Sequence, residues 1–240
     1  MELRLFMSVS SLDLLSIRLS RNLHYCSCVL INIARGGLFL LPFLFTEVLA
    51  QQSARNIEGC SIRRGTFCVD MSLNGADLQN TNLANSQFTR TNLSGANLTK
   101  AVLDEANLSN AQLRGTILNQ ASLIKTNGRG ARFNDAQLVG ANLRSAILQN
   151  ADFSGANLTD VSLTSADLTN AKLIGAILHN ANIQRANLRS AHLQDASLVN
   201  ANLQGVDFTG ADLSNTDLSG ANLDQAIFTM ARTKGCKGCP

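Results

Sequence analysis

Tryptophan is absent from this sequence, tyrosine occurs once, at Tyr25, and histidine three times. A core must therefore be assembled mainly from aliphatic side chains. Only His179 and His192 lie beyond residue 50, a sparse supply for a metal site or an imidazole relay. Long apolar runs are missing too. The best, following Arg35, is Gly-Gly-Leu-Phe-Leu-Leu-Pro-Phe-Leu-Phe, too short and too broken by Pro42 for a comfortable membrane span. Neither sign of charge dominates: residues 51–240 carry 16 Lys/Arg against 14 Asp/Glu, so no strong field of one sign surrounds them.

What is present in abundance is a five-residue phrase, repeated without a slip from Met71 to Met230. From Ala76 it reads Ala-Asp-Leu-Gln-Asn, and from Ala221 Ala-Asn-Leu-Asp-Gln. Of 32 centres between Leu73 and Phe228, 25 are Leu and five are Phe (Phe88, Phe133, Phe153, Phe208, Phe228), with Ile183 and Gly128 as the exceptions. Two residues before the centre, 23 of the 32 positions are Ala. A helix rotates each successive Leu by about 140° net, and a flat strand sends alternate leucines to opposite faces. Neither buries this pattern. A chain that turns a corner every five residues does, with small and large residues alternating in a narrow packed interior. The remaining positions are mostly Asn, Asp, Gln, Ser, Thr and Gly, which suit tight turns.

These residues identify a resemblance to the pentapeptide-repeat proteins, whose motif is Ala-Asp/Asn-Leu-X-X. The resemblance covers about two-thirds of the chain. It implies an all-β fold, a right-handed quadrilateral β-helix with four pentapeptides, or 20 residues, per coil. Every twentieth residue from Gly75 (Gly75, Gly95, Gly115, Asp135, Gly155, Gly175, Asp195, Asn215) is a type that accepts positive φ cheaply. The corner two faces on (Asn85, Glu105, Lys125, Ser145, Ser165, Arg185, Gly205, Gln225) shows no such restriction. The expectation is one left-handed corner per coil and about eight coils. At about 4.8 Å per coil the stack is roughly 35–40 Å long.

Four segments follow. Residues 1–50 read as a leader: arginines at 4, 18, 21 and 35, a short apolar run, then Val48-Leu49-Ala50 before Gln51, the order of a signal peptide. Its length and its Ser- and Arg-rich start point to a later translation start or to a second targeting element; the alternative is an uncleaved membrane anchor. Residues 51–70 read as an N-terminal cap, because an open coil end exposes unpaired backbone. Residues 71–230 are the β-helix. The repeat fades at Ala231-Arg232-Thr233, and residues 231–240 form a tail containing Cys236-Lys-Gly-Cys239.

Beyond the leader four cysteines remain, two near each end of the stack. A bond from one end to the other is excluded if the stack is that long, since a disulfide needs Cα atoms within about 7 Å. A four-cysteine zinc site within one monomer is excluded on the same ground. The options left are Cys60–Cys68 and Cys236–Cys239 disulfides or free thiols, and an even count in an exported chain favours disulfides. A redox-active C-x-x-C wants the motif opening a helix, whereas here it closes a tail.

Elsewhere bland readings compete with sharper ones. His179 and His192 fall on different faces, read as exposed turn residues and cannot share a metal or form a dyad. Asp77, Asp152, Asp167 and Asp212 take the motif's second position, where a carboxylate can bond a nearby backbone N–H. Lys125, Arg129 and Arg132 surround Gly128 as an anion patch or, lacking aromatic partners, a solvated surface. Ile117, Val139, Ile177 and Val199 share one outer face as a partner-binding stripe or as scattered exposed aliphatics. Gly128 is a hinge or a packing gap; if a gap, Gly128→Leu should raise thermal stability.

The function expected is a non-enzymatic, exported structural or protein-interaction module, periplasmic or extracellular, or lumenal in a thylakoid if the leader is bipartite. A filled stack offers no pocket, so neither cofactor nor small-molecule substrate is expected. The partner is an unidentified protein, nucleic acid is disfavoured, membrane contact comes only through an uncleaved leader, and a homodimer through a solenoid end or face stays open. The alternative implied by the resemblance is a duplex mimic that binds DNA gyrase. Near-neutral to basic charge and an export signal both oppose it.

Overall fold

The computed structural model describes residues 55–240. The expected leader, residues 1–50, lies outside the described residues, as does the start of the expected cap. Within them the chain winds into a four-sided β-helix, and no helix is present among the described residues.

The second residue of each pentapeptide forms a parallel bridge with the residue 20 later, from Phe67↔Gln87 to Asp217↔Lys237. Four pentapeptides therefore close one coil. Each side donates upward and downward: Leu98 N–H reaches the Ile117 carbonyl at 2.7 Å, and Ile117 N–H returns to the Ala96 carbonyl at 3.0 Å. The first and third residues of each pentapeptide point inward, and from Leu93 to Leu218 all of them are buried. Ala beside Leu is what a narrow tube can hold. Where Thr replaces Ala, its hydroxyl is satisfied inside: Thr126 donates to the Leu103 carbonyl at 2.9 Å and Thr216 to Leu193 at 2.7 Å.

The corners correct one expectation. Both corner series are left-handed: Gly95 has φ 67° and Asp135 58°, but Glu105 has 58°, Lys125 56° and Arg185 55°. Every fifth residue through the stack takes this conformation, whatever its type. For an L-residue it costs about 1–2 kcal/mol. Two bonds offset that. Glu105 N–H donates to the Ile124 carbonyl of the next coil at 2.9 Å, and Ala106 N–H closes the turn on the Leu103 carbonyl at 3.0 Å. The 20-residue periodicity is real, but the glycine bias of one corner does not reflect a different φ there.

The two ends differ. At the N-terminal end β1 (Arg55–Ile57) and β2 (Cys60–Ile62) pair antiparallel, with Ile57 opposite Cys60. Glu58 and Gly59 both have positive φ (50° and 83°), as a two-residue hairpin loop of the primed type needs. Cys60 and Ile62 turn into the core, and a disulfide joins Cys60 to Cys68, whose Cα atoms are 5.4 Å apart. Beneath this hairpin Leu73, Leu78 and Leu83 are fully buried. At the other end the coil register continues past Ala231, with Arg232 and Lys237 still bridging the coil below. The chain leaves the coil path only at Gly238, and Cys236 is bonded to Cys239 (Cα–Cα 5.8 Å). Leu223 and Phe228, the centres of this last coil, are only half-buried.

Gly128 is no hinge. Its N–H meets the Ile147 carbonyl at 2.8 Å, and its neighbour Asn127 bridges both adjacent coils. Nor is it a gap awaiting a side chain. A Cβ there would lie 2.9 Å from Leu148 Cδ2 and 3.8 Å from Phe133 Cε2. Leu148 of the next coil already leans into the space, next to stacked Phe133 and Phe153, whose centroids are 4.6 Å apart. The expected stabilisation by Gly128→Leu is therefore reversed. Overpacking should cost about 1–3 kcal/mol, whereas Gly128→Ala needs only the end of Leu148 to swing and should change stability by under about 1 kcal/mol. Thermal melts of the two variants rank them.

Candidate interaction surface

Three outward positions per pentapeptide form the surface, and the bridges arrange them in columns 20 residues apart. The second position is a turn-holding one. Asp152 accepts the Ser154 N–H at 3.0 Å and its hydroxyl at 2.7 Å; Asp167 does the same with Thr169, at 3.1 and 2.6 Å. Asp212 repeats this with Ser214, at 3.1 and 2.6 Å. Asp77 accepts from both the N–H and the amide of Gln79. These carboxylates are structural, as the motif position suggests. Burial opposes ionisation of Asp152 and Asp167, but the bonds from Ser154 and Asn134, and from Thr169 and Gln149, outweigh it and hold both below the usual carboxylate range. At Asp212 the Ser214 hydroxyl is the main cause of the same lowering. A carboxylate held this way is a poor general acid.

The histidines are apart, as their registers indicate. His192 is exposed and bridges Lys172 and Asp212 along one face. His179 belongs to the next face and is half-buried rather than fully exposed, with Nε2 2.7 Å from the Ser197 hydroxyl. Among the described residues no group of three or more His, Cys, Asp or Glu could hold a metal ion.

Ile117 and Ile177 stand in one column, three coils apart, with Gln137 and Asn157 between them. Ile177 is exposed, and Ile117, Val139 and Val199 are half-buried. The shared face is there, but polar residues interrupt it. Ile147 and Ile174 are as exposed as Ile177 and lie on other faces. The largest apolar exposures are at the ends: Phe67 near the hairpin, and Ile227 (47 %) and Met230 (84 %) in the last coil.

The three cations are spread round the corners of one coil. Lys125 lies 4.0 Å from Glu105, and Arg129 donates to Gln149 on the following coil. Arg132 sits a face further on, beside Arg114, in an open groove of about 640 Å³ with Gln112 and Asn134. Arg114 is itself 3.4 Å from Asp135. Four further pairs match opposite charges about one coil apart: Arg90 with Asp70, Arg189 with Asp207, Arg232 with Asp212 and Lys237 with Asp217. Exposed pairs of this kind add at most about 1 kcal/mol each, but they leave no broad field of one sign. Between the leucine stacks from Leu163 to Leu198 the space is too narrow for water.

A four-sided parallel coil with Leu inside and turn-forming amides outside defines a class of solenoid. Within it the chain belongs to the pentapeptide repeat family: the family described as Pentapeptide repeats matches in eight copies, over residues 72–110, 106–144, 136–173, 156–198 and 191–229. Among solved structures it is similar to the trypsin-treated form of QnrB1, a plasmid-mediated fluoroquinolone resistance protein, at 18% identity and TM-score 0.57, covering 71% of this chain and 90% of that one. HetL, a pentapeptide repeat protein involved in heterocyst differentiation regulation in the cyanobacterium Nostoc sp. strain PCC 7120, is 28% identical, with TM-score 0.47 and coverage of 80% and 94%. A pentapeptide repeat protein of the Arabidopsis thaliana thylakoid lumen is 27% identical, with TM-score 0.23 and coverage of 60% and 70%. No curated protein matches the chain in sequence. The fold is a right-handed quadrilateral β-helix; the likeness to QnrB1, at that identity, speaks for the fold alone.

Proposed function

We propose that this chain is an exported, non-enzymatic structural or protein-interaction module that works in an oxidising compartment. The observation that carries the reading is the cysteine chemistry. All four described cysteines are paired, each pair local and each at one end of the coil stack. Such bonds persist outside reducing cytosol. The Val48-Leu49-Ala50 order before Gln51 supports the same compartment from the sequence side. The module is non-enzymatic on this reading because leucine fills its interior and turn bonds occupy its outer carboxylates. Its working parts are outward columns and ends that meet another macromolecule. A duplex mimic needs strong negative potential, which coil-to-coil ion pairing and a net charge of +3 for the whole chain do not supply.

N-terminal sequencing of the protein from its own cells tests this. A mature chain beginning near Gln51, recovered from an exported fraction, is the expected outcome. An intact Met1 in the cytosol would overturn the reading.

A further inference from the structure

A side chain at the fourth position of a pentapeptide lies diagonally below the second-position side chain 18 residues later, on the same face of the coil. At several of these diagonals a donor meets an acceptor. Gln149 donates to Asp167 at 2.5 Å, Gln194 to Asp212 at 3.0 Å and Arg189 to Asp207 at 3.1 Å, and His179 Nε2 lies 2.7 Å from the Ser197 hydroxyl. Arg114 and Arg132 occupy the same two places, and both are donors. From residue 69 to residue 237 no other such diagonal sets like charges together.

Among the described residues neither guanidinium makes a hydrogen bond, and the one ion contact is Arg114 Nε to Asp135, at 3.4 Å between largely exposed side chains. The carboxylate above Arg132 in its column, Asp152, is already held by Ser154 and Asn134, with Lys172 as its charged neighbour. Below the arginines, the Gln112 amide and the Ser94 hydroxyl likewise have no hydrogen-bond partner among the described residues. These four side chains line the open groove of about 640 Å³, and no apolar side chain lines it with them. Gly155 makes room there: Asp135 Oδ1 lies 2.8 Å from the place a Cβ would take.

We propose that this groove binds a phosphorylated sugar, with the phosphate held between Arg114 and Arg132. Each guanidinium fork donates two parallel bonds to an oxyanion, so two forks without an acceptor call for a group rich in oxygens. A carboxylate would leave part of both forks bare. A phosphate monoester offers three acceptor oxygens and carries nearly two negative charges at pH 7. The lining sets the rest of the ligand. It gives an apolar body nothing to pack on, whereas Asp135 accepts from a hydroxyl and the Gln112 amide both donates and accepts. A single sugar ring suits a groove of this size. The leucine-filled interior is no obstacle, because the groove lies outside the coil wall, and the site rests neither on export nor on a protein partner.

Calorimetric titration of the protein with glucose 6-phosphate at low ionic strength is the test. Saturable binding is expected, about tenfold weaker for inorganic phosphate and absent for glucose. Arg114→Ala and Arg132→Ala should each weaken it by about tenfold or more, and Arg144→Ala, on another face of the coil, should leave it unchanged. Arg132→Asp is the sharper variant. It sets a carboxylate where the phosphate would sit, as at Arg189 and Asp207, and should abolish binding while the thermal melt stays at or above that of the wild type. A dissociation constant above about 10 mM for glucose 6-phosphate would overturn the proposal. So would binding that survives Arg132→Asp, or equal affinity for inorganic phosphate or for glucose.

Discussion

Leu158→Gly is expected to lower stability by about 4 kcal/mol, the largest effect of any single change considered. Leu158 lies in the middle of the stack and is fully buried. Deleting a buried Leu side chain costs about 2–5 kcal/mol through lost transfer energy and the cavity left behind, and glycine adds about 0.5–1 kcal/mol of backbone entropy. The coils above and below cannot close on the hole, because ladder bonds fix their spacing: Leu158 N–H to the Ile177 carbonyl at 2.6 Å and Leu138 N–H to Asn157 at 2.7 Å. Its neighbour Asn157 supplies the contrast. That side chain only accepts from the Thr159 N–H and hydroxyl, so Asn157→Ala should cost about 1 kcal/mol. Calorimetric or denaturant unfolding should rank the two in that order. A harmless Leu158→Gly would mean that the centres are not buried and the coil is wrongly drawn.

The second large effect is loss of the Cys60–Cys68 bond. Its sequence separation is eight residues, and the chain-entropy view gives about 2.5 kcal/mol for a loop of that size. The Cys236–Cys239 loop, with a separation of three, should give somewhat less, about 2 kcal/mol. Packing widens the gap. Cys60 and Cys68 are both fully buried, and Cys60 ties β2 into the core cluster that holds Leu73 and Leu78. Cys60→Ala with Cys68→Ala should therefore destabilise the protein more than Cys236→Ala with Cys239→Ala, and should speed amide exchange first in Arg55–Ile62. Equal losses for the two pairs would mean that the hairpin holds its place by packing alone.

Most of the fold was legible because a period of five leaves one arrangement that buries every Leu. The cysteine pairing was legible as an alternative, since position along the stack forbade any bond between its ends. The corners were misread because composition is a poor guide to φ where hydrogen bonds hold it: Lys125 and Glu105 take the same turn as Gly95. Gly128 was misread because the side chain that fills its space, Leu148, is 20 residues away, and only packing shows which way it leans. Of the surface residues, Ile117 and Ile177 could be placed on one face from their registers alone. Ile227 and Met230 could not be singled out, since what distinguishes them is belonging to the last coil. The fading of the repeat at Ala231-Arg232-Thr233 suggested that the coil had already stopped, yet Arg232 and Lys237 carry the ladder onto two further sides.

Coil closure at 20 residues also sets how such a chain can change length over evolutionary time. Loss or gain of a single pentapeptide keeps every Leu inside but turns everything downstream by a quarter revolution. Asp152 would then no longer stand between Arg132 and Lys172, and each column of outward side chains would be cut and rejoined to its neighbour. Loss or gain of four pentapeptides shortens or lengthens the stack by about 4.8 Å and leaves every column aligned. Length is therefore inherited in whole revolutions wherever a face has a partner to meet, and in quarter revolutions, one side at a time, wherever it has none.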